Sequence, residues 1–297
     1  MLYDPKKCSL CPRACGADRT KGQGYCKVSD ELTVARCAPH FWEEPCISGK
    51  NGSGAVFFSG CSMGCVFCQN IVISRGKVGE KISVSRFKEI CFELKSLGVH
   101  NVNLVTPSHF AHILAPALAD IREELAIPVI CNCSGYESDE ILDLLLPVVD
   151  VFLPDLKFFS PEVSKKYANC DNYFEVAIHA VKRMVQKTGK PVFDENGLIQ
   201  KGTIVRHLVL PGHRKDSLEI VKALADNFER DEILVSLMSQ YVTNGAQGAP
   251  SRRLTTFEYE SVAKEVEKSG FSGYFQEISS AKVDFIPEFD LKGVKKE

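Results

Sequence analysis

No run in this 297-residue chain approaches the ~18 consecutive apolar residues that a membrane-spanning helix needs. A membrane protein is not expected. Charge of one sign is equally scarce. With 36 basic side chains against 38 acidic ones, the formal net charge of −2 gives no global field to hold a nucleic-acid backbone or an anionic membrane surface. Neither partner is expected. The opening residues Met1-Leu2-Tyr3-Asp4-Pro5-Lys6-Lys7-Cys8 lack the apolar stretch of a signal peptide. Disulfide density is low as well: 13 cysteines are roughly 4% of the chain, below the roughly 8–10% of small secreted scaffolds, and the count is odd. These absences point to the cytoplasm, where thiols stay reduced and clustered cysteines more often bind metal. Hydrophobic residues at 44% and charged ones at 25% exclude disorder and fibrous rods. The length suits one large core with a small attachment.

The cysteines present are unevenly spread. Cys8, Cys11, Cys15, Cys26, Cys37 and Cys46 fall within residues 1–50, Cys61, Cys65 and Cys68 follow at once, and only Cys91, Cys131, Cys133 and Cys170 remain. Residues 1–50 lack a sustained apolar period and read as a small cysteine-rich, metal-binding segment organised by ligands more than by a core. Ser48-Gly49-Lys50-Asn51-Gly52-Ser53-Gly54 then reads as a flexible junction to a core domain over 51–297. In that domain six short apolar runs, Ala55 to Ser59, Val102 to Val105, Pro128 to Cys131, Val151 to Leu153, Ile204 to Leu210 and Ile233 to Met238, alternate with helical periods. Phe87, Ile90, Cys91 and Leu94 have helical spacing, as do Val221, Leu224, Ala225 and Phe228, and Tyr259, Val262, Ala263 and Val266. Asp216 before Glu219 and Thr255 before Glu258 stand in capping-box spacing. This α/β alternation predicts a parallel sheet, and a doubly wound sheet or a partly closed barrel both satisfy it.

A polar or cysteine-bearing triplet follows each run: Gly60-Cys61-Ser62, Thr106-Pro107-Ser108, Asn132-Cys133-Ser134, Asp155-Leu156-Lys157, Pro211-Gly212-His213 and Ser239-Gln240-Tyr241. The C-terminal ends of parallel strands share one face, so the six ends predict one composite site. The first end is the most specific. Cys61-Ser62-Met63-Gly64-Cys65-Val66-Phe67-Cys68 places three thiols in eight residues, C-x3-C-x2-C. Three thiolates satisfy three irons of a [4Fe-4S] cluster and leave the fourth open to a substrate. A structural zinc site needs four ligands and none follows nearby, although a catalytic zinc with an open position fits three. Gly60-Cys61-Ser62-Met63-Gly64 also matches a nucleophile elbow, with Asp155 and His207 as triad partners, but that reading leaves Cys65 and Cys68 unexplained.

The C-x3-C-x-aromatic-C loop, with Phe67 as the aromatic and Gln69-Asn70 after it, resembles the cluster loop of radical S-adenosylmethionine (SAM) enzymes. The nearest likeness is to pyruvate formate-lyase activating-enzyme-like proteins with an added N-terminal cysteine segment. It extends through Cys11-Pro12-Arg13, Glu43-Glu44-Pro45-Cys46-Ile47-Ser48-Gly49, Phe57-Phe58-Ser59-Gly60-Cys61 and Val205-Arg206-His207-Leu208-Val209-Leu210-Pro211-Gly212. The resemblance implies a partial (β/α)6 TIM-like barrel of the radical SAM type. It implies an oxidoreductase that reductively cleaves SAM to a 5′-deoxyadenosyl radical and abstracts hydrogen from a protein, peptide or small-molecule substrate, with a flavodoxin- or ferredoxin-type reductant. Cys61, Cys65 and Cys68 match the cluster ligands, and Phe67 the aromatic near the adenine. Asp155 and Lys157 resemble the activases' Asp-Leu-Lys after the fourth strand. Asn132 and Ser134 stand in the Asp-Thr-Asn-Gly segment, with Asn in place of Asp, which leaves only half of an acidic pair for a cation beside SAM. Thr106 and Ser108 occupy the place of Gly-Gly-Glu, which receives the SAM amino group, and Arg206 is positioned to approach a carboxylate, of SAM or of the protein.

Outside that loop, Cys8, Cys11, Cys15 and Cys26 offer four thiols, enough for a closed zinc site or a second, fully ligated cluster. Cys37 and Cys46 are candidates to replace one of them or to line the main site. His40, Trp42, Glu43 and Glu44 read as surface or as part of a lid, outside the catalytic set, and His213 and Tyr241 as substrate-side candidates. Cys91 and Cys131 read as core. A rival from another class is an electron-transfer or binding protein whose cluster never cleaves SAM.

Overall fold

Strands form where the chain is apolar on both faces, as a sheet covered on each side requires. The computed structural model describes residues 3–278 and 287–296. Among them the strands are β1 (Thr33–His40), β2 (Ser53–Phe58), β3 (Glu80–Lys81), β4 (Val102–Val105), β5 (Val129–Cys133), β6 (Val151–Pro154), β7 (Val192–Phe193), β8 (Ile199–Leu208), β9 (Leu234–Met238) and β10 (Gly273–Phe275). The α-helices are α1 (Pro45–Ser48), α2 (Ile71–Ser74), α3 (Val84–Ser96), α4 (Ala111–Leu125), α5 (Asp139–Leu145), α6 (Pro161–Ala168), α7 (Tyr173–Thr188), α8 (Arg214–Asn227) and α9 (Thr256–Ser269). Every residue of β2, β4 and β6 is buried.

The sheet runs β10-β9-β8-β6-β5-β4-β2-β1-β3. From β2 to β10 every neighbouring pair is parallel, and a helix crosses between each successive pair. The result is the expected partial TIM-like barrel, left open between its two edges. The six predicted runs coincide with β2, β4, β5, β6, β8 and β9. Alternation along the strands splits the core in two. Val129 and Cys131 pack outward with α3, α4 and α5, whereas Ile130, Val151, Leu153, Ile204 and Leu234 face inward on Cys46 and Ile47 of α1. Helix α1 therefore plugs the inside of the barrel.

Several local expectations change. Residues 33–40 of the cysteine-rich segment form β1, antiparallel to β2 and part of the same sheet. The junction at 48–54 is an ordered turn, not a flexible one. Gly52 N–H donates to Ser48 C=O at 2.7 Å, and Ser53 Oγ donates to Asn101 Oδ1 at 2.6 Å. Its glycines supply left-handed backbone at Gly49 and Gly52 (φ 46° and 83°). Thr255 and Glu258 do form a capping box on α9. Asp216 does not cap α8, which starts from His213 without a side-chain cap. Asp216 lies inside that helix and accepts from Phe159 N–H and Ser160 N–H, at 2.9 and 2.7 Å, fixing the start of α6. The tail at 287–296 runs along β1, through Leu291 N–H to Ala35 C=O and Cys37 N–H to Lys292 C=O.

Candidate active site

The strand ends enclose a cavity of about 600 Å³. The loop after β2 brings Cys61, Cys65, Phe67 and Cys68 to its wall, β4 brings Thr106, β5 brings Asn132, Cys133 and Ser134, β6 brings Asp155 and Lys157, and β8 brings Arg206. All three cluster-type thiols and most of the predicted cofactor residues thus meet on one surface, as parallel topology requires.

The thiol loop is held by backbone bonds, with no regular secondary structure of its own. Cys68 N–H donates to Cys65 C=O at 3.2 Å and Val66 N–H to Tyr167 C=O at 2.9 Å. Arg75 donates to Gly64 C=O at 2.7 Å, and Asn244 to Val66 C=O at 2.9 Å. Met63 N–H lies 3.4 Å from Cys61 Sγ, and Asn70 N–H donates to Cys68 in the same two-residue relation. Burial pushes the Cys65 thiol up to about 12, against the pull of Lys157, and raises Cys68. A metal taking these sulfurs must displace their protons. Lys157 sits where its charge helps. Burial alone would lower its pKa, but Asp155 and then Cys65 outweigh that and hold it protonated. Asp155 carries the ion pair to Lys157, and Tyr173 Oη bonds the Asp155 carbonyl and the Lys157 N–H, at 2.8 and 2.9 Å. Phe67 stands edge-on to Phe158 and Tyr167, with centroids 6.0 and 5.8 Å away.

Thr106 lines the cavity in a left-handed conformation (φ 60°), an outlier for a β-branched residue. It keeps the backbone shape that glycine adopts freely, at the place where the resembled family has Gly-Gly-Glu. Ser108 is turned away from the cavity. Its hydroxyl donates to Glu137 at 2.8 Å, and Ser134 Oγ bonds the same carboxyl oxygen at 3.2 Å. Burial raises the Glu137 carboxyl, which ties the loops after β4 and β5 together. Sequence spacing carried no sign of this residue.

The cavity floor holds the main surprise. Glu44 is buried and the side chain of Glu43 is 8% exposed, so neither carboxylate stands at the surface. Arg206 Nε donates to Glu44 Oε1 at 2.8 Å, its terminal nitrogen donates to Glu44 Oε2 at 2.5 Å, and the same nitrogen pairs with Glu43. Asn103 adds a bond to Glu43 at 3.0 Å, and Asn132 Nδ2 lies 3.5 Å from the same oxygen. Arg206 is therefore already engaged by two carboxylates of its own chain. His40 and Trp42 line the same cavity. The apolar motif around α1, which buries Ile47 in the barrel, is the sequence feature that drags Glu43 and Glu44 inside.

His213 and Tyr241 lie off the cavity. His213 Nε2 bonds Tyr167 Oη at 2.8 Å, and Tyr241 Oη donates to Pro250 C=O at 2.6 Å. The nucleophile elbow is not formed. No helix starts at Gly64, since α2 begins at Ile71, and His207 Nδ1 pairs with Leu156 C=O at 2.6 Å. Cys37 is buried beside Cys91, and Cys46 hydrogen-bonds Tyr274, so neither joins the N-terminal four. Among the described residues no three His, Cys, Asp or Glu side chains form a ready-made metal cage. At both cysteine sets the fit rests on donors and backbone. Three sulfurs on one loop, facing a roomy cavity with Lys157 beside them, suit a cluster with one open iron.

Comparison with known proteins bears on the family and the fold. The radical SAM superfamily matches residues 55–225. An uncharacterized protein of Methanocaldococcus jannaschii, MJ0674, is 29% identical over 89% of this chain and 75% of its own. Streptococcus suis SuiB bound to precursor peptide SuiA shares the fold, with a TM-score of 0.53 and 14% identity over 74% of this chain, which spans only 48% of SuiB. A domain of pyruvate-formate lyase-activating enzyme from Bacteroides vulgatus aligns at TM-score 0.44 with 12% identity, over 58% of this chain and 94% of that one. The matched region exceeds half of the sequence, and the chain belongs to the radical SAM superfamily, which uses a [4Fe-4S] cluster and SAM.

Proposed function

We propose that the protein is an activating-enzyme-like radical SAM oxidoreductase acting on a protein, peptide or small-molecule substrate. The observation that carries this reading is the convergence of Cys61, Cys65 and Cys68 with Phe67, Asp155 and Lys157 on one cavity wall. Bound together, cluster and SAM would supply one-electron cleavage of SAM, with the electron from an external donor, to methionine and a 5′-deoxyadenosyl radical able to take hydrogen from the substrate. The chain's own residues bind, orient and exclude water. Cys61, Cys65 and Cys68 would hold three irons. Phe67 offers an apolar face for the adenine. Thr106, Asn132, Ser134, Asp155 and Lys157, all on the cavity wall, would take the methionine part, with backbone carbonyls or the Thr106 hydroxyl as acceptors for its amino group. Arg206 serves this site from the floor, by fixing Glu43 and Glu44. A cavity open beside the thiols favours this reading over a closed electron carrier.

The finer assignments rest on the same footing. Residues 1–50 are taken as a metal-binding segment sharing β1 with the 51–297 core, with Cys8, Cys11, Cys15 and Cys26 as ligands of a second metal. A flavodoxin- or ferredoxin-type protein is the expected electron donor. Thirteen free cysteines suit a reducing cytoplasm. The test is anaerobic reconstitution with iron and sulfide, then dithionite and SAM, with 5′-deoxyadenosine as the readout. Wild type should form it and Cys65→Ala should not; a fully loaded wild type yielding no more than that variant would end the proposal.

A further inference from the structure

The N-terminal cysteines and the cluster loop are in direct contact. Cys61 N–H donates to Cys26 C=O at 3.1 Å. Gly60 and Gly76 make room for this strand of chain: a Cβ on Gly60 would stand 2.6 Å from Cys26 C=O, and one on Gly76 2.5 Å from Lys27 C=O. Arg13, between Cys11 and Cys15, reaches into the same loop. Its guanidinium donates to Ser62 C=O at 2.9 Å and Met63 C=O at 3.2 Å, and to Ala168 C=O at 2.6 Å, while lying 4.4 Å over the Tyr25 ring.

Three of the four thiols, those of Cys11, Cys15 and Cys26, carry marks of metal ligands. Cys11 receives an N–H from Arg13, the two-residue relation that also serves Cys61 and Cys68, and Cys26 Sγ packs on the Val28 backbone, 3.9 Å from its carbonyl. Such N–H bonds stabilise thiolates. Ala14 and Lys27 adopt left-handed backbone (φ 40° and 69°), which folds each sulfur-bearing turn back on itself. The sulfurs of Cys26 and Cys15 lie 3.3 and 3.6 Å from the point where a Gly24 Cβ would sit, and the Arg19 side chain lies 3.6 Å from it. Arg19 is 1% exposed and its buried Nε has no hydrogen-bond partner. The terminal nitrogens of Arg19 bond His109 C=O and Ser29 C=O at 2.9 and 2.8 Å and face Asp30 at 3.8 Å, so only the Nε donor is left over, and its burial costs less beside a sulfur that carries negative charge.

We propose that Cys8, Cys11, Cys15 and Cys26 hold a closed, thiophilic metal centre that acts as a clasp on the catalytic-cluster loop, through the Cys26 carbonyl and Arg13. It rests on the reading of Cys61, Cys65 and Cys68 as cluster ligands. Four thiolates around a 2+ centre carry a net charge of about −2, of which Arg19, itself facing Asp30 at 3.8 Å, offsets a part. Closing the centre fixes Cys11 and Cys15, hence Arg13 between them, hence the carbonyls of Ser62 and Met63. The clasp would make retention of the catalytic cluster depend on the N-terminal metal.

Three full-length variants test this, each loaded anaerobically with zinc alone or with iron and sulfide. A Cys61→Ala, Cys65→Ala, Cys68→Ala variant should keep one metal centre, and the metal found in it names the kind. Cys11→Ser with Cys15→Ser should lose that centre and release the remaining cluster's iron to a chelator about tenfold faster than wild type. Arg13→Gln should keep the N-terminal metal, shift the electron-paramagnetic signal of the reduced cluster and release its iron faster by a similar factor, as befits losing charged hydrogen bonds worth more than about 1.4 kcal/mol. An empty first variant, or wild-type release from Arg13→Gln, overturns the clasp, and the Arg13 result stands even if the double serine variant fails to fold. The two readings fail separately: both centres retained with no 5′-deoxyadenosine would end SAM cleavage alone, and cleavage with no second centre would end the clasp alone.

Discussion

Replacing Arg206 with methionine would leave two carboxylates in the barrel floor without their cation. Side chains of Arg206, Glu43 and Glu44 are 11%, 8% and 5% exposed, so solvent from the cavity can replace only a part of what the guanidinium supplies. Removing one member of a buried ionic group destabilises by about 3–5 kcal/mol. With an unfolding entropy of about 2.1 cal/mol/K per residue, that corresponds to a melting temperature lower by roughly 5–8 °C for this chain. Glu43→Gln should behave differently. It leaves Arg206 and Glu44 as a one-to-one pair, keeps an acceptor for Asn103, and should change stability by less than about 1 kcal/mol. The pH dependence separates the two further. Burial pushes the Glu44 carboxyl upward, but the charge and hydrogen bonds of Arg206, with a bond from Ser236, hold it below the usual carboxylate range. A depressed carboxylate stabilises the fold above its unfolded value near ~4.3 and loses that contribution as pH falls through the lower folded value. The deficit of Arg206→Met should therefore be largest at high pH and shrink as pH falls, first as the orphaned carboxylates of the variant, raised by burial, take up protons, and then below about pH 4 as the wild type loses its own contribution. Anaerobic thermal unfolding at matched metal content is the assay. A melting point within 1 °C of wild type for Arg206→Met, or a loss of equal size in Glu43→Gln, would refute a floor built on charge balance.

Two other predictions follow from local geometry. Gly135→Ala should cost about 3 kcal/mol or more and blunt the response of the cluster spectrum to SAM, because Gly135 has φ 79° and a Cβ there would stand 2.2 Å from the Asp155 carbonyl; an unchanged melting curve would show that the loops after β5 and β6 are free to part. Thr255→Ala should cost about 1 kcal/mol through loss of the α9 capping box and leave SAM cleavage at wild-type rate, and lost cleavage would place this helix end in the catalytic machinery.

Periodicity carried the barrel because its signals are local. The run from Ala55 to Phe58 is apolar throughout since β2 is covered on both faces, and Phe87, Ile90, Cys91 and Leu94 form one stripe because α3 has one buried side. β1 was hidden by the density of Cys, Pro and charge around it, and β10 by its three-residue length. Asp216 misled for a related reason. The spacing to Glu219 is that of a capping box, yet the carboxylate found backbone N–H groups on another loop, at Phe159 and Ser160, and spacing cannot tell these apart.

Glu43 and Glu44 show where local reasoning stops. A pair of acids beside a tryptophan is normally solvated, because burying charge without a partner is prohibitive. The partner here is Arg206, more than 160 positions along the chain, and only the fold brings them together. What pulls the acids in is their neighbour: Ile47, fully buried, seats α1 against Ile130, Val151 and Leu153. Burial of that apolar plug carries the adjoining charges with it, and Arg206 then becomes a requirement of the barrel interior. The same logic governs Cys26. Its sulfur was legible as a candidate ligand from spacing, but its carbonyl, which accepts the Cys61 N–H, was not, because backbone groups leave no trace in residue identity. Side-chain chemistry could be read along the chain, whereas the couplings that join the floor and the two cysteine sets to the cavity exist only in three dimensions.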